Sequence, residues 1–468
     1  MLAALARRFL QFSESFRSLF HTQTRSVFAT AQAYLQGLVL AGKRQRNLQR
    51  MAEAVPGTDA QQFQHFLSNS PWAEVPVMAE VARRVDRRLG GQPDSGLLLD
   101  ETAAAKKGQH SVGVARQWNG RLGKVDNSPV SVWAALVRGD RVSPVGVRLY
   151  LPAAWTDDPL RCQTAGVPPD QQVFRSQSQL ALALVREARQ RGLRFTWVGF
   201  DGGYGKEPAF LRALATQGEV FVAEVHKDQR VYLTDPCPPG PEAGLGGAGQ
   251  VPRRSAPDPS VRVDRWAAAQ PASAWQPLDL RDSTQGGIEV EVLHARVWVW
   301  DGREAQAHCW HLVGRRDRAT RQEYKYALSN APADTSGQVL ARRQGQRYWV
   351  ERTFEDAKGA VGLTDYQVRD WRGWQHHAAL VMMARLFLLE EREEACPEQP
   401  LLSGSEVVRL LAYALPRRDV TEAEILAQLR HRHRQRQASI DSAYRRQRLR
   451  RPPPAGGRSY RVCEDVTK

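Results

Sequence analysis

The sequence has 468 residues, of which 42% are hydrophobic and 25% are charged, an ordinary globular composition that excludes a wholly disordered chain, collagen and a coiled-coil rod. At roughly 100–200 residues per domain, this length predicts two to four domains. The 66 lysines and arginines outnumber the 50 aspartates and glutamates, which gives a formal net charge of +16. Such a surplus favours a polyanionic partner, with nucleic acid as the first candidate and a merely basic protein as the alternative.

The first 92 residues have the periodicity of helices. Apolar residues recur three and four positions apart in three segments, Phe28–Leu40, Phe63–Leu67 and Val75–Val85. We therefore predict a helical N-terminal domain over residues 1–92. Arg7 and Arg8 interrupt its first apolar stretch, so no secretory leader is expected there and the protein is predicted to be cytoplasmic.

A basic run that includes Lys43, Arg44 and Arg46 lies inside this helical region. It is either a solvated helix face or a helix that contacts DNA, and the pattern leaves both interpretations open.

From Gly96 the pattern changes to that of a sheet layered with helices. Leu97–Leu99 is a short apolar run that ends in Asp100, and Phe195–Phe200 is a second that ends in Asp201, as buried strands would. Four more strands are predicted at Ser111–Trp118, Val130–Val137, Val145–Leu151 and Val220–Val225, and two helices at Gln177–Arg191 and Pro208–Thr216. This order predicts an α/β fold over residues 93–226.

A stretch rich in proline and glycine, Thr234–Ser260, breaks this pattern and predicts a long loop. Beyond it, three segments alternate as antiparallel strands do: Ile288–Trp300, Ala307–Val313 and Glu323–Leu328. We interpret residues 227–330 as a β-rich insertion into the α/β domain.

The rest of the chain is predicted to be helical, with residues 331–395 completing the α/β domain and residues 396–468 forming a C-terminal region. The expected helices are Gln346–Lys358, Trp374–Glu391 and Ser405–Leu415, and Gly337 and Gly345 weaken the segment before the first of them. Trp374–Glu391 overlaps the most apolar segment, Ala378–Leu389, which Arg385 interrupts and which is too short to span a membrane.

The last predicted segment, Arg430–Arg451, carries nine arginines and one aspartate. It is either a solvated basic arm or a contact for phosphates.

Three acidic residues occupy positions that suit metal-dependent phosphate chemistry. Asp100 and Asp201 end predicted strands, and Glu351 lies on a predicted helix. Transfer of a phosphodiester commonly uses two divalent metals about 3.5–4 Å apart, and Mg²⁺ prefers carboxylate oxygens as ligands. Acids at strand ends are common, so these positions become informative only through the sequence around them.

That surrounding sequence resembles a known family. The segments Leu97–Val130, Val198–Leu211 and Gln346–His377 strongly resemble the three catalytic motifs of bacterial insertion-sequence transposases of the DDE superfamily. Arg46–Trp72 is similar to the helical leader of the same family, and the resemblance extends from about Phe28 to Glu391.

The resemblance implies a ribonuclease-H-like mixed sheet with flanking helices, interrupted by the β-rich insertion and preceded by a small all-helical domain. It also implies that Asp100, Asp201 and Glu351 are the catalytic residues and the ligands of two Mg²⁺ or Mn²⁺ ions. The implied function is to bind the terminal inverted repeats of an insertion sequence, cleave the DNA and join the 3′-hydroxyl ends to a target. Such a protein would be a homodimer, associated with the nucleoid and not with membranes. The alternatives are a ribonuclease-H-like nuclease and an inactive or domesticated DNA-binding derivative.

The third motif includes the family's YREK signature, whose last three residues match Arg347, Glu351 and Lys358. The resemblance implies that this arginine and lysine contact DNA phosphates near the metals, although an ion-paired surface helix would have the same spacing. The tyrosine of the signature is replaced by Gln344, and Tyr348 is a candidate to take over its role.

Four further residues have open interpretations. Lys106 and Lys107 lie close to Asp100 and either neutralise DNA phosphates or solvate a turn. Glu101 is expected to face away from Asp100, because neighbouring residues on a strand point to opposite faces. Trp298 in the insertion is a candidate for stacking on a flipped base, by resemblance to related transposases, and a buried core residue is the alternative.

Overall fold

The computed structural model describes residues 2–42, 45–120, 122–237, 256–283, 286–302, 304–322, 324–395, 399 and 401–450, without the side chains of 283 and 448–450. Lys43, Arg44 and most of the loop Thr234–Ser260 therefore lie outside the described residues. The chain divides into two compact units, one ending at Pro416 and the other beginning at Arg417.

In the described part of the chain before the first strand there are five α-helices: α1 Leu2–Glu14, α2 Phe28–Leu40, α3 Leu48–Ala54, α4 Ala60–Ser68 and α5 Glu74–Leu89. The side chains of Asn47 and Asp59 cap α3 and α4 by accepting hydrogen bonds from the first-turn amides, which fixes where these helices begin.

The described residues form thirteen strands: β1 Gly96–Ala103, β2 Ala115–Asn119, β3 Lys124–Ser128, β4 Val130–Arg138, β5 Arg141–Tyr150, β6 Trp197–Phe200, β7 Phe221–Val225, β8 Arg230–Val231, β9 Val261–Arg262, β10 Gln276–Ser283, β11 Gly286–Val299, β12 His308–Asp317 and β13 Lys325–Ser329. Nine of them form one sheet in the order β10-β11-β12-β13-β7-β6-β1-β4-β5. Strands β1, β6 and β7 are parallel, and the other neighbours are antiparallel. The predicted mixed α/β architecture is confirmed.

Strands β10 to β13 extend the main sheet, whereas β8 and β9 pair with each other in a separate two-stranded sheet. Strand β13 pairs antiparallel with β7, and β12, β11 and β10 follow outward in turn. Strand β10 was not predicted, because its sequence is mostly polar, as suits a strand at the edge of a sheet.

The remaining helices are α6 Ala153–Thr156, α7 Pro159–Thr164, α8 Gln177–Gln190, α9 Gly202–Gly205, α10 Pro208–Thr216, α11 Val263–Ala268, α12 Gly337–Gln346, α13 Tyr348–Ala360, α14 Trp371–Ala395, α15 Gly404–Ala414 and α16 Glu422–Arg450. Helix α14 is buried along most of its length. The N-terminal helices pack against it: the Phe9 and Phe387 rings lie 5.1 Å apart, and the Tyr34 hydroxyl is hydrogen-bonded to His377 Nδ1 at 2.9 Å. No described helix is long and apolar enough to span a membrane.

The expectation that Gly337 and Gly345 weaken the helix before residue 346 is wrong. Both glycines lie within α12, whose first turn is capped by the Ser336 side chain. A Cβ on Gly337 would lie 2.5 Å from the Cβ of His294, and a Cβ on Gly345 would lie 2.8 Å from a methyl group of Leu280. The two glycines therefore permit α12 to approach the sheet closely, and this packing outweighs their low helix propensity.

Candidate active site

Two aspartates lie at the same edge of the sheet. Strands β1 and β6 are adjacent and parallel, with Leu97 opposite Val198, so their carboxyl ends lie side by side. Asp100 lies in the second half of β1, and Asp201 immediately follows β6. The Asp201 carboxylate caps α9 by accepting a hydrogen bond from the Gly203 amide at 2.9 Å. This edge of an α/β sheet is the usual place for a functional site.

The two aspartates are close enough to influence each other electrostatically. Burial raises the pKa of Asp100 to about 8, and the charges of Asp201 and Glu101 add to this effect, while Arg347 opposes it. Burial, followed by the charge of Asp201, also raises the pKa of Glu101. Glu101 therefore belongs to the same acidic cluster, and its orientation away from Asp100 stays a prediction. Alternation along β1 does not separate the two charges, because Asp201 acts on both.

Tyr204 lies beside this cluster. It belongs to the short helix α9 and is almost completely buried. Burial, and then the charges of Glu101 and Asp100, raise the pKa of the Tyr204 hydroxyl, which stays a neutral phenol.

The side chain of Arg347 connects Glu351 to this edge of the sheet. It lies in the first turn of α13, and 52% of its side chain is exposed. Arg347 Nη1 donates to Glu351 Oε1 at 2.7 Å, and Arg347 Nε donates to Glu224 Oε2 on β7 at 2.8 Å. Burial disfavours the charged form of Arg347, but the negative charges of Glu224, Glu351 and then Asp100 outweigh this effect. Together they raise the pKa of Arg347. Arg347 therefore links α13 to the sheet on the side where Asp100 lies.

More positive charge surrounds Glu224. Arg315 on β12 is 8% exposed. Burial lowers the pKa of Arg315 to about 10, Glu224 opposes this shift, and the charges of Arg281 and Arg347 reinforce it. The Arg281 guanidinium lies 3.7 Å from the centre of the Tyr348 ring, a cation–π contact. Sequence reasoning missed Glu224, Arg281 and Arg315, although a single acid in the apolar strand β7 was a usable signal.

An open cavity of about 710 Å³ borders Glu224 and is also lined by His226 and Lys227. His226 lies beside the turn after Asp201, since a Cβ on Gly202 would lie 3.3 Å from its ring. The cavity therefore gives solvent access next to the aspartates.

The residues fit a divalent metal in part. Among the described residues, no three His, Cys, Asp or Glu side chains are placed to hold a metal ion together, so the three predicted ligands do not converge in this arrangement. Asp100 and Asp201 nevertheless supply hard oxygen ligands, and one or two carboxylates are enough for Mg²⁺ when phosphate completes the site. Burial and the repulsion from Asp201 raise the pKa of Asp100, and a bound dication would relieve that repulsion. Glu351 could join them once it leaves Arg347.

Two of the predicted DNA-binding residues are engaged inside the protein. Arg46 is buried, and its guanidinium donates to the backbone oxygens of Leu38 and Gly359. Lys106 Nζ donates to Tyr366 O at 2.5 Å and lies 3.5 Å from the Tyr366 ring centre, and burial lowers the pKa of Lys106 to about 8. Both cations hold chain segments together, because a buried charge needs fixed partners, and the structure does not support either as a phosphate contact.

The other predicted residues keep their interpretations as predictions. Lys107 is exposed, and Lys358 is half-buried on α13. Trp298 is half-buried on β11, where its backbone pairs with Tyr232. Gln344, in the place of the signature tyrosine, is buried. The Tyr348 ring lies against the Arg281 guanidinium and is 40% exposed, so it is accessible to a ligand.

Residues 15–287, more than half of the chain, match the DDE superfamily endonuclease family. The chain belongs to the DDE superfamily endonucleases. This confirms the family assignment made from the catalytic motifs. Asp100 and Asp201 lie within the part of this DDE endonuclease that matches the family, whereas Glu351 lies beyond its end.

A curated relative supports the same family. The probable transposase for insertion sequence element IS701 of Microchaete diplosiphon is 22% identical to this DDE endonuclease over 336 residues, which are 72% of this chain and 76% of that protein. Among solved structures, the NurA nuclease from Sulfolobus solfataricus aligns with 60% of this chain and 86% of its own, at 6% identity and a TM-score of 0.26. A TM-score this low adds nothing to the assignment.

Proposed function

We propose that this DDE endonuclease is a transposase that binds the terminal inverted repeats of its insertion sequence, cleaves the DNA and joins the 3′-hydroxyl ends to a target. The observation that carries the proposal is the placement of Asp100 in the second half of β1 and of Asp201 just after β6, two adjacent parallel strands. Arg347 links Glu351 to the same edge and acts electrostatically on Asp100, so all three acids belong to one charged network.

The chemistry has two phosphoryl-transfer steps. In the first, the oxygen of a water molecule bonds to phosphorus at the element end, the bond to the 3′ oxygen breaks, and that oxygen leaves as a 3′-hydroxyl. In the second, this hydroxyl bonds to a target phosphorus, displaces the 3′ oxygen of the target strand and loses its proton. Two Mg²⁺ or Mn²⁺ ions, when bound, would supply Lewis acidity at these oxygens.

The protein side chains have distinct parts in this proposal. Asp100 and Asp201 would hold the metals, and Glu351 would be a further ligand when it is not paired with Arg347. Arg347, released at Nη1, is then available for the phosphate while Glu224 still holds its Nε atom. Lys358 contacts DNA phosphates near the metals, and the exposed Lys107 neutralises phosphates close to Asp100; each contact adds affinity but no sequence information.

Two element ends must be held at once, so we propose that the active form on DNA is a homodimer. The C-terminal helix α16 is mostly exposed and contains the arginines of Arg430–Arg451 up to residue 450, which suits contact with the phosphates of any duplex.

The test is cleavage of a supercoiled plasmid that carries the element's own ends, by full-length protein in Mg²⁺ or Mn²⁺. Asp100→Asn, Asp201→Asn and Glu351→Gln should each abolish cleavage and leave binding of the ends largely intact. Glu355→Gln is the matched control, because Glu355 lies one turn after Glu351 on the same helix and is exposed. Cleavage by Asp201→Asn at the wild-type rate would overturn the site. Cleavage without joining to a target would instead indicate a nuclease.

A further inference from the structure

A small hairpin projects from the strand that carries Asp100. Strands β2 and β3 form a separate two-stranded sheet, outside the nine-stranded one. The backbone pairing of β1 and β4 continues into it, because the Ala104 amide donates to Pro129 O at 3.1 Å and the Lys106 amide donates to Asn127 O at 2.8 Å. The hairpin is therefore a direct extension of the edge where the aspartates lie.

One face of the hairpin is apolar and open to solvent. Trp118 and Val125 are directly opposite each other across the two strands, and 62% of Trp118 is exposed. All 13 tryptophans lie in the described part of the chain, and Trp118 is the only exposed one of them. An exposed tryptophan forgoes a large burial energy, so this placement calls for a ligand.

Positive charge flanks this apolar pair on one side. Arg116, two residues before Trp118, shares its face and is exposed, whereas Lys124 is directly opposite Asn119 and points to the other face. The acid of the two strands, Asp126, is opposite Gln117, so it points to the other face. An aromatic ring beside a cation complements a nucleic-acid strand, which presents a base beside a phosphate.

The hairpin is held rigidly from its inner face. Gln117 Nε2 donates to Gly113 O and Ser128 O, and Asn119 is buried with its amide nitrogen donating to the Ser128 hydroxyl. At its base, Trp155 Nε1 donates to Val114 O at 2.8 Å. The exposed face is thus presented by a fixed scaffold, which reduces the entropic cost of binding a ligand.

We propose that the β2–β3 hairpin is a DNA-binding element in which Trp118 stacks on an unpaired base next to the cleavage site while Arg116 contacts a flanking phosphate. The proposal rests on the proposed function in taking DNA as the substrate, and it adds a contact that would hold a locally opened end. The alternative occupant of this face is a second copy of the chain.

The experiment measures binding of full-length protein to two labelled duplexes in EDTA, one fully paired and one forked at the element end. Trp118→Ala should weaken binding to the forked duplex by roughly tenfold or more, in line with the removal of one base–aromatic stack, and binding to the paired duplex by no more than about twofold. Trp118→Phe should retain most of the preference for the fork. Tyr413→Ala is the matched control, because Tyr413 is a similarly exposed aromatic residue on α15.

A second measurement gives an independent readout. A 2-aminopurine placed in the unpaired arm should be quenched by the wild-type protein and not by Trp118→Ala. Arg116→Ala should lower the slope of log affinity against log salt by about 0.9 or less, since it removes one phosphate contact.

The outcomes separate this proposal from the proposed function. A protein that cleaves element ends but binds both duplexes equally well with and without Trp118 overturns the hairpin contact alone. Trp118-dependent fork binding by a protein that cleaves no DNA in Mg²⁺ supports the hairpin and overturns the endonuclease assignment. A change of oligomeric state in Trp118→Ala, with DNA affinity unchanged, would show that a second copy covers this face and would also overturn the proposal.

Discussion

Replacing Asp100 by asparagine should stabilise the metal-free protein at neutral and alkaline pH. Burial and the charges of Asp201 and Glu101 raise the pKa of Asp100 to about 8, whereas an aspartate in an unfolded chain titrates near 3.9. Between these values the native state holds a proton that the unfolded state has released, so the free energy of unfolding falls as the pH rises from about 4 to about 8. Asparagine removes the charge and with it this decrease in stability.

The size of the effect follows from the shift. Each pKa unit corresponds to about 1.4 kcal/mol, so a shift of about four units sets an upper limit near 5–6 kcal/mol. Asp100 retains some exposure to solvent, which screens the repulsion. We therefore expect Asp100→Asn to gain about 2–4 kcal/mol over wild type above about pH 8, and to show almost no difference from it below about pH 4.

The assay is urea unfolding, followed by tryptophan fluorescence, of wild type and Asp100→Asn at several pH values in EDTA. Asp94→Asn is the control, since Asp94 is an exposed carboxylate just before the same strand. Adding Mg²⁺ should stabilise the wild type and not Asp100→Asn, by about 2.7 kcal/mol at a hundred times the dissociation constant. A difference between the two proteins that does not change with pH would refute the electrostatic reasoning.

Three further predictions concern the charged network and the tail. Glu224→Gln should lower the free energy of unfolding by about 1–3 kcal/mol, because it weakens a largely buried charged hydrogen bond to Arg347. In the same urea titration the control Glu289→Gln should lower it by less than about 1 kcal/mol, because both side chains of that ion pair are exposed. Arg347→Ala should slow cleavage at least about tenfold in a single-turnover assay, which corresponds to about 1.4 kcal/mol of transition-state stabilisation, and an unchanged rate would remove it from the site. A chain stopped before Arg430 should bind any duplex more weakly than the full-length chain does. Its slope of log affinity against log salt should also be flatter, by about 0.9 for each phosphate that the tail neutralises. Equal slopes for the two chains in a salt titration would mean that the tail does not bind DNA.

The sequence was sufficient to predict that Asp100 and Asp201 follow the apolar residues of buried strands. An apolar run that ends in an acid has the pattern of a buried strand whose last residue meets solvent, and both Leu97–Leu99 and Phe195–Phe200 follow it. Strand β6 confirms this pattern because it ends immediately before Asp201, whereas β1 continues past Asp100 to Ala103. The parallel pairing of the two strands nevertheless places both aspartates at the same edge of the sheet.

The partners of charged side chains could not be predicted in this way. Arg347 is hydrogen-bonded to Glu224, 123 positions earlier in the chain, and no local periodicity encodes such a pair. For the same reason Arg46 and Lys106 resembled free cations in the sequence, although backbone oxygens from distant segments hold both of them. Tertiary packing decides whether a cationic side chain remains a charge on the surface or holds two chain segments together inside the protein.

The metal site itself offers the most direct test of the whole account. Crystals of the full-length protein with an element-end duplex and Mn²⁺ should show anomalous scattering from manganese bound to both Asp100 and Asp201, with Glu351 turned from Arg347 toward the metal. Manganese bound elsewhere, with both aspartates free of metal and Glu351 still paired with Arg347, would contradict the assignment of these three acids as the catalytic centre.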